Sequence, residues 1–309
     1  MEVKPKVSII MATYNREKFI VESLKAIYNQ TFTSWECLII DDGGTDNTFS
    51  KITPLIDEDS RFKYYQRTEN YQKGLPGCRN FGLDLALGEY IIFFDDDDIA
   101  HPQNLEICVS ELENRDISFC RYVREVFHDD FHYHFDYSKV YSFFKIDYKD
   151  VEKMLDNTLP FNSCAVMWKS TCFKENRYVE HLMYAEEWEL YARIVSSGFN
   201  GISIDKTLFY GRKHENSNTG EFYNKDTSRR KSYADAIILA IINLDNKKML
   251  SSSILRYFIV YSLSFKEFFL FKRIIGVVKI SKVDKFKWNA FYFTLPLRVR
   301  ISRLIKKKK

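Results

Sequence analysis

Four consecutive aspartates, Asp95 to Asp98, follow the apolar run Tyr90-Ile91-Ile92-Phe93-Phe94, which reads as a buried β-strand. A strand that ends in a block of negative charge requires a cation beside it, or else protonated carboxylates. A divalent cation is the simplest partner. Hard carboxylate oxygens suit Mg²⁺ or Mn²⁺, and a metal held by one or two protein carboxylates keeps positions open for the phosphate oxygens of a substrate. Taken alone, the block also fits a solvated acidic loop or a helix start, since Pro102 and the apolar Leu105, Ile107 and Val109 come next.

The pattern around the block narrows the fold. Val7 to Thr13 is strand-like, and Glu17 to Asn29 carries Phe19, Ile20, Leu24 and Ile27 at helical spacing. Further strands are expected at Cys37 to Ile40, Phe62 to Tyr65 and Tyr90 to Phe94. Helices are expected between them at Asp46 to Ile56 and Gly77 to Leu87, and after them at Pro102 to Glu113. This βαβαβαβ order predicts an α/β fold with a mostly parallel central sheet flanked by helices. Ligands of open sheets bind beyond the carboxyl ends of the strands. Those ends bring Ala12-Thr13-Tyr14-Asn15, Asp41-Asp42-Gly43-Gly44 and Asp95 to Asp98 to one edge. No GxGxxG follows the first strand and no GxxxxGK[ST] occurs, which argues against a dinucleotide site and a P-loop. Asp42 could accept the N–H of a pyrimidine ring on which Tyr14 stacks, although Asp-Asp-Gly-Gly is also an ordinary turn.

Beyond residue 125 the pattern weakens. Ile117 to Val123 and Asn162 to Trp168 read as strands, residues 127 to 148 as a hairpin or long loop, and Ala185 to Ser197 and Asp226 to Leu244 as helices. The six cysteines have no metal-ligand spacing and read as reduced core residues of a cytosolic protein. Met1 to Lys6 leads straight into a strand pattern, without the apolar stretch of an export signal. From Asn246 onward 17 Lys or Arg face two acids, Glu267 and Asp284, so this region carries +15 and residues 1–245 carry −11. Its longest uncharged stretches, Tyr257 to Phe265 and Trp288 to Leu297, fall short of the roughly 20 residues of a spanning helix. A basic, aromatic region of this kind suits an anionic membrane surface or packing on the preceding domain; nucleic acid is not the expected partner. The expected division is a catalytic domain over 1–225 and a helical, membrane-associating region over 226–309.

The set of motifs resembles the family 2 glycosyltransferases, inverting nucleotide-sugar-dependent enzymes of the GT-A fold. It comprises VSIIMATYNR (7–16), QTF (30–32), LIIDDGGTDNT (38–48), GLPGCRNFGLDLALGEYIIFFDDDD (74–98), AEEWEL (185–190) and RKHENS (212–217). The resemblance implies that Thr13, Tyr14, Asn15 and Asp42 serve the uridine of a UDP-sugar and that Arg79 meets the diphosphate or the sugar. It makes Asp95 and Asp97 the two ends of a DxD motif bridging Mn²⁺ or Mg²⁺ to the diphosphate, with His214 reaching the metal or the diphosphate. Asp96 belongs to the nucleotide-sugar set as the least essential of the four, and Asp98 gives support from behind. Glu187 falls at the catalytic base, with Glu186 as the other candidate because Glu186-Glu187 stands where the family has Glu-Asp. Gly44 replaces the usual serine. The implied reaction moves a sugar to a glycan or lipid-linked saccharide in lipopolysaccharide, capsule or other surface polysaccharide synthesis, at the cytoplasmic face of the plasma membrane. The alternatives are an inactive nucleotide-sugar-binding relative and a nucleotidyltransferase; the latter calls for a glycine-rich basic loop where Ala12 to Asn15 stands.

Overall fold

The computed structural model describes residues 4–128, 130–132, 134–213, 227–264 and 268–306. β1 (Val7–Thr13) and β2 (Trp35–Asp41) are buried almost throughout, as continuous apolar strands covered on both faces should be. Between them α1 (Ile20–Tyr28) turns Ile20, Leu24 and Ile27 inward. α2 (Thr48–Glu58), β3 (Phe62–Gln66), α3 (Leu75–Leu85) and β4 (Tyr90–Phe93) complete four strands in the order β3-β2-β1-β4, all parallel. α3 lies very close to β1: a Cβ built on Gly82 would stand 2.5 Å from Cγ2 of Ile10, so only glycine permits the approach.

The second half of the sheet is mixed. β5 (Ile99–Ala100), α4 (Asn104–Glu113), β6 (Phe119–His128), β7 (Phe143–Ile146), α5 (Val151–Leu155), β8 (Val166–Lys169), α6 (Glu186–Ser196) and β9 (Gly201–Lys213) follow in sequence. Among the described residues they extend one nine-stranded sheet, β3-β2-β1-β4-β8-β6-β9-β5, with β7 added on β9. β8 runs antiparallel to β4 and β6, β5 and β7 antiparallel to β9, and β6 parallel to β9. The aspartate block therefore joins two buried strands, β4 and β5. It is neither a solvated loop nor a helix start, since α4 begins only at Asn104. The 13-residue β9 had no counterpart in the sequence reading, and the stretch expected as strand from Asn162 begins with a 3₁₀ turn, Ser163–Ala165.

Four helices close the chain: α7 (Thr227–Asn246), α8 (Ser252–Ser264), α9 (Phe268–Val277) and α10 (Lys282–Lys306). α7 packs on α6, and one apolar cluster runs from Trp168, Tyr191 and Ile194 into Ile237, Ile241, Phe258 and Ile274. The first 225 residues and these helices thus share a core. α10 is apolar on two opposite sides. Trp288, Phe291, Tyr292 and Leu295 face the core, Tyr292 stacking on Phe271 at 3.8 Å, whereas Val283, Phe286, Phe293 and Leu297 form an exposed stripe at helical spacing. Among the described residues no helix is long and apolar enough to cross a membrane.

Candidate active site

A cavity of about 720 Å³ opens along the carboxyl ends of β1, β2 and β4 and continues to the start of α6. Thr13, Tyr14 and Asp42 line one end, the four aspartates the middle, and Glu186 and Glu187 the far side. Tyr14 is 45% exposed, and Lys73 Nζ lies 5.0 Å from the centre of its ring. The two aspartates that end β2 divide the work. Asp41 folds back to accept the N–H groups of Gly43 and Gly44 at 3.0 and 2.8 Å and the hydroxyl of Tyr64, which fixes the turn. Asp42 lines the cavity, held by Arg67 Nε at 2.5 Å and by the N–H of Gly74 at 3.0 Å.

Asn15 is not among the lining residues. In a left-handed backbone conformation (φ 54°), it accepts the N–H groups of Thr45 and Asp46 at 2.7 and 3.2 Å and so ties the β1 end to the β2 loop. This placement gives Asn15 a positioning contact where the sequence reading had it in the nucleotide-sugar set.

The aspartate block meets cations from the chain itself. Arg79, almost fully buried, reaches Asp95 Oδ1 at 3.2 Å and Glu186 Oε1 at 3.6 Å, so one guanidinium joins the middle of the cavity to its far side. Arg16 Nε donates to Asp96 Oδ1 at 3.2 Å and lies 4.0 Å from Asp97. Asp98 accepts Arg124 Nη2 at 3.1 Å on one oxygen and the N–H of Arg212 at 2.8 Å on the other. Arg212 also donates from Nε to the carbonyl of Asp97 and pairs with Glu22. The divalent cation expected as the simplest partner is therefore not the only offset to this charge, because each of the four carboxylates lies within 4.0 Å of an arginine. Arg16 and Arg124 escaped the sequence reading; an arginine on a strand or loop leaves no periodic signal. A Cβ at Gly211 would come within 1.7 Å of Arg124 Nη2, so this glycine admits the guanidinium to Asp98.

Burial dominates the protonation. It pushes Asp96 up to about 7, and together with repulsion from Asp95 it pushes Asp98 up to about 8. Asp96, the expected least essential member, is thus a buried partner of Arg16. Glu186 and Glu187 open α6, where the helix N-terminus favours negative charge, behind Ala185 in a left-handed conformation (φ 63°). Burial and then the charge of Glu187 push Glu186 up to about 8; burial also raises Glu187, against the pull of Arg79. Glu186 is buried beside Arg79, whereas Glu187 is half-buried, faces the cavity, and has no ion pair among the described residues. The pair can keep its proton on Glu186 and leave Glu187 ionised.

For a cation, ligand atoms of Asp95, Asp98 and Cys164 lie within 4.8 Å of one another. The Cys164 thiol is soft, and burial holds it protonated, so the donors that fit a hard cation are the carboxylates. The expected metal set was Asp97, Asp95 and His214. Asp95 and Asp97 both line the cavity, and His214 lies outside the described residues.

Comparison with known proteins agrees with this geometry. The family model "Glycosyl transferase family 2" matches residues 8–172. An uncharacterized glycosyltransferase of Rickettsia conorii is 31% identical over 225 residues, covering 69% of this chain and 34% of that protein. The Escherichia coli UDP-Glc:alpha-D-GlcNAc-diphosphoundecaprenol beta-1,3-glucosyltransferase WfgD is 42% identical over 113 residues, covering 37% of this chain and 43% of the enzyme. The chain thus spans about a third of the length of the Rickettsia relative and less than half of WfgD. Among solved structures, S. aureus TarS 1-349 in complex with UDP-GlcNAc superposes with a TM-score of 0.65 at 20% identity, over 84% of this chain and 73% of that one. The chain belongs to glycosyl transferase family 2 and has its GT-A fold.

Proposed function

We propose that the chain moves a sugar from a UDP-sugar to a saccharide acceptor, with inversion at the anomeric carbon, and that the acceptor is carried on a lipid diphosphate used for surface polysaccharide or lipopolysaccharide. The observation that carries this reading is the single cavity that runs from Tyr14 and Asp42, past the aspartates, to Glu187. The uracil ring lies against Tyr14, with Asp42 accepting its N–H, and Thr13 sits beside the ribose. Glu187 takes the proton of the acceptor hydroxyl as that oxygen bonds to the anomeric carbon. The anomeric carbon–oxygen bond to the diphosphate breaks in the same displacement, its electron pair leaving on UDP. Arg79 orients the diphosphate, while burial and the charge of Glu187 keep the proton on Glu186.

Asp95 and Asp97 line the middle of the cavity and are the residues that would hold Mn²⁺ or Mg²⁺, with Asp98 turned to Arg124 and to the N–H of Arg212. A divalent cation there would neutralise charge on the departing diphosphate. A lipid-linked acceptor is supported by the similarity to WfgD, a glucosyltransferase of alpha-D-GlcNAc-diphosphoundecaprenol. Residues 1–225 form the catalytic unit, and the helices after them hold the enzyme on the cytoplasmic face of an anionic membrane. The exposed stripe on α10 and the eleven Lys or Arg against one acid over residues 279–309 support that placement.

The test is UDP release from UDP-glucose, UDP-galactose, UDP-GlcNAc and UDP-GalNAc, with Mn²⁺ or Mg²⁺ and with or without lipid-diphosphate saccharides. Donor-dependent release that an acceptor accelerates is expected. Absence of release from every donor would sink the reading, and an undiminished rate after chelation would remove the metal from it.

A further inference from the structure

Three walls of the cavity have been given work by the reaction; its remaining end has not. Past Glu187 the lining passes to Trp188 of α6, Tyr233 of α7, and Tyr257 and Tyr261 of α8. These rings brace one another. Trp188 meets Tyr233 with centroids 5.5 Å apart and Tyr233 meets Tyr261 at 5.1 Å, both near edge-to-face, an arrangement that fixes ring orientation. Trp188, Tyr257 and Tyr261 are half-buried, so part of each ring remains open toward the cavity.

The facing wall comes from the turn between α5 and β8, where Asn157, Pro160, Phe161 and Asn162 line the cavity. α8 and α5 are joined directly by a 2.9 Å hydrogen bond from Ser253 to Glu152, and the Asp156 carboxylate bears on the Tyr257 phenol. Every lining residue from α7, α8 and this turn is uncharged. The nucleotide end and the middle, by contrast, hold all the aspartates and arginines of the lining.

Apolar ring faces next to phenol hydroxyls and side-chain amides match the two aspects of a pyranose, its C–H face and its rim of hydroxyls. Tyrosine and tryptophan offer that surface with few rotatable bonds to freeze. We propose that this end is the acceptor-saccharide site: Tyr257 and Tyr261 set against an uncharged pyranose, Asn157 and Asn162 meet its hydroxyls, and its attacking hydroxyl points back to Glu187. The proposal rests on the transferase reading and adds to it that the C-terminal helices choose the acceptor. Specificity for the receiving sugar then resides in α7 and α8, outside the residues matched by the family model.

The experiment uses the full chain and p-nitrophenyl glycosides of glucose, galactose, N-acetylglucosamine and N-acetylgalactosamine. Binding is read without turnover, as quenching of intrinsic tryptophan fluorescence in the presence of UDP; transfer is read as UDP release. Tyr257→Ala and Tyr261→Ala should each weaken glycoside binding and raise the acceptor KM about tenfold. The donor KM and the slow acceptor-free hydrolysis of donor should stay within about twofold of the wild type. Tyr257→Phe, which keeps the ring, should recover most of the affinity. If an alanine variant melts early by circular dichroism, Tyr257→Leu replaces it, keeping bulk without a ring. Glycoside affinity unchanged in both variants, or no quenching by any of the four glycosides in the wild type, overturns the proposal. A wild type that binds glycosides but releases no UDP from any donor removes the transferase reading alone, since the binding measurements still decide this site.

Discussion

The two halves of the sheet are built on different principles. From β1 to β4 the strands alternate with helices, α3 packing on β1 and β2, and all four strands run parallel with their apolar runs side by side. From β5 to β9 the neighbours are distant in sequence and the directions mixed, and β6 pairs with β9 through register shifts near Val123. The first half is assembled from local pattern, and its strand ends line the cavity from Thr13 and Tyr14 to the aspartates. The second is assembled from long-range pairing: it sets Arg124 and the N–H of Arg212 on Asp98, where the first half sets Arg16 on Asp96 and Arg79 on Asp95, and it contributes Glu186 and Glu187 to the cavity. A regular half thus carries the strand-end residues of the cavity, while an irregular one carries the partners of Asp98 and the two glutamates.

The largest test of that division is Glu187→Gln, which should lower transfer by about 10²- to 10⁴-fold while donor binding stays intact. If Glu186→Gln proved the more damaging of the two, the base would be the buried neighbour and the protonation described above would be reversed. Second comes Gly211→Ala. By pushing Arg124 away from Asp98 it should take one hydrogen-bond donor from a buried carboxyl group and cost about 1–3 kcal/mol in urea unfolding. A variant as stable as the wild type would mean that the first half does not depend on the second.

Third, Phe286→Asp with Phe293→Asp should reduce sedimentation with phosphatidylglycerol vesicles by about tenfold or more, leaving activity on water-soluble glycosides unchanged. Equal binding to phosphatidylcholine vesicles, or no change in the variant, would remove the membrane from the C-terminal helices. The smallest effect is in pH. Folded Glu186 keeps its proton up to about 8, whereas in the unfolded chain it loses it in the ordinary glutamate range. Between those values the folded state binds more protons, so this residue's contribution to stability must fall as pH rises across the window. Glu186→Gln should flatten that part of the stability curve, and an unchanged slope would place the shifted proton elsewhere.

The same division decides what could be read from the sequence. β1 to β4 and their helices were legible because Ile20, Leu24 and Ile27, or Leu38 to Ile40, declare period and burial within a few residues. The strand-end aspartates and Tyr14 followed from the parallel arrangement alone. Arg124 and Gly211 were not legible as a pair, since one matters only because the other, 87 positions on, leaves it room. Nor was the role of Tyr257 and Tyr261 as cavity walls, because a tyrosine on a helix looks the same whether it packs in a core or faces a substrate. The apolar stripe of α10 was visible only as composition until the fold placed Trp288 and Phe291 inward and left Phe286 and Phe293 outside.

The order of synthesis gives the hydrogen bond from Arg212 to Asp98 a further meaning. Its two ends, the Arg212 backbone N–H and the Asp98 carboxyl, are 114 residues apart, and the other donor, the Arg124 guanidinium, follows Asp98 by 26. A chain emerging from the ribosome would complete β1 to β4 while the aspartates still lack β9, and contacts of such separation form late. Secondary structure should therefore recover on refolding well before nucleotide binding does, and a nascent chain halted before Arg124 would display Asp98 without either of its donors.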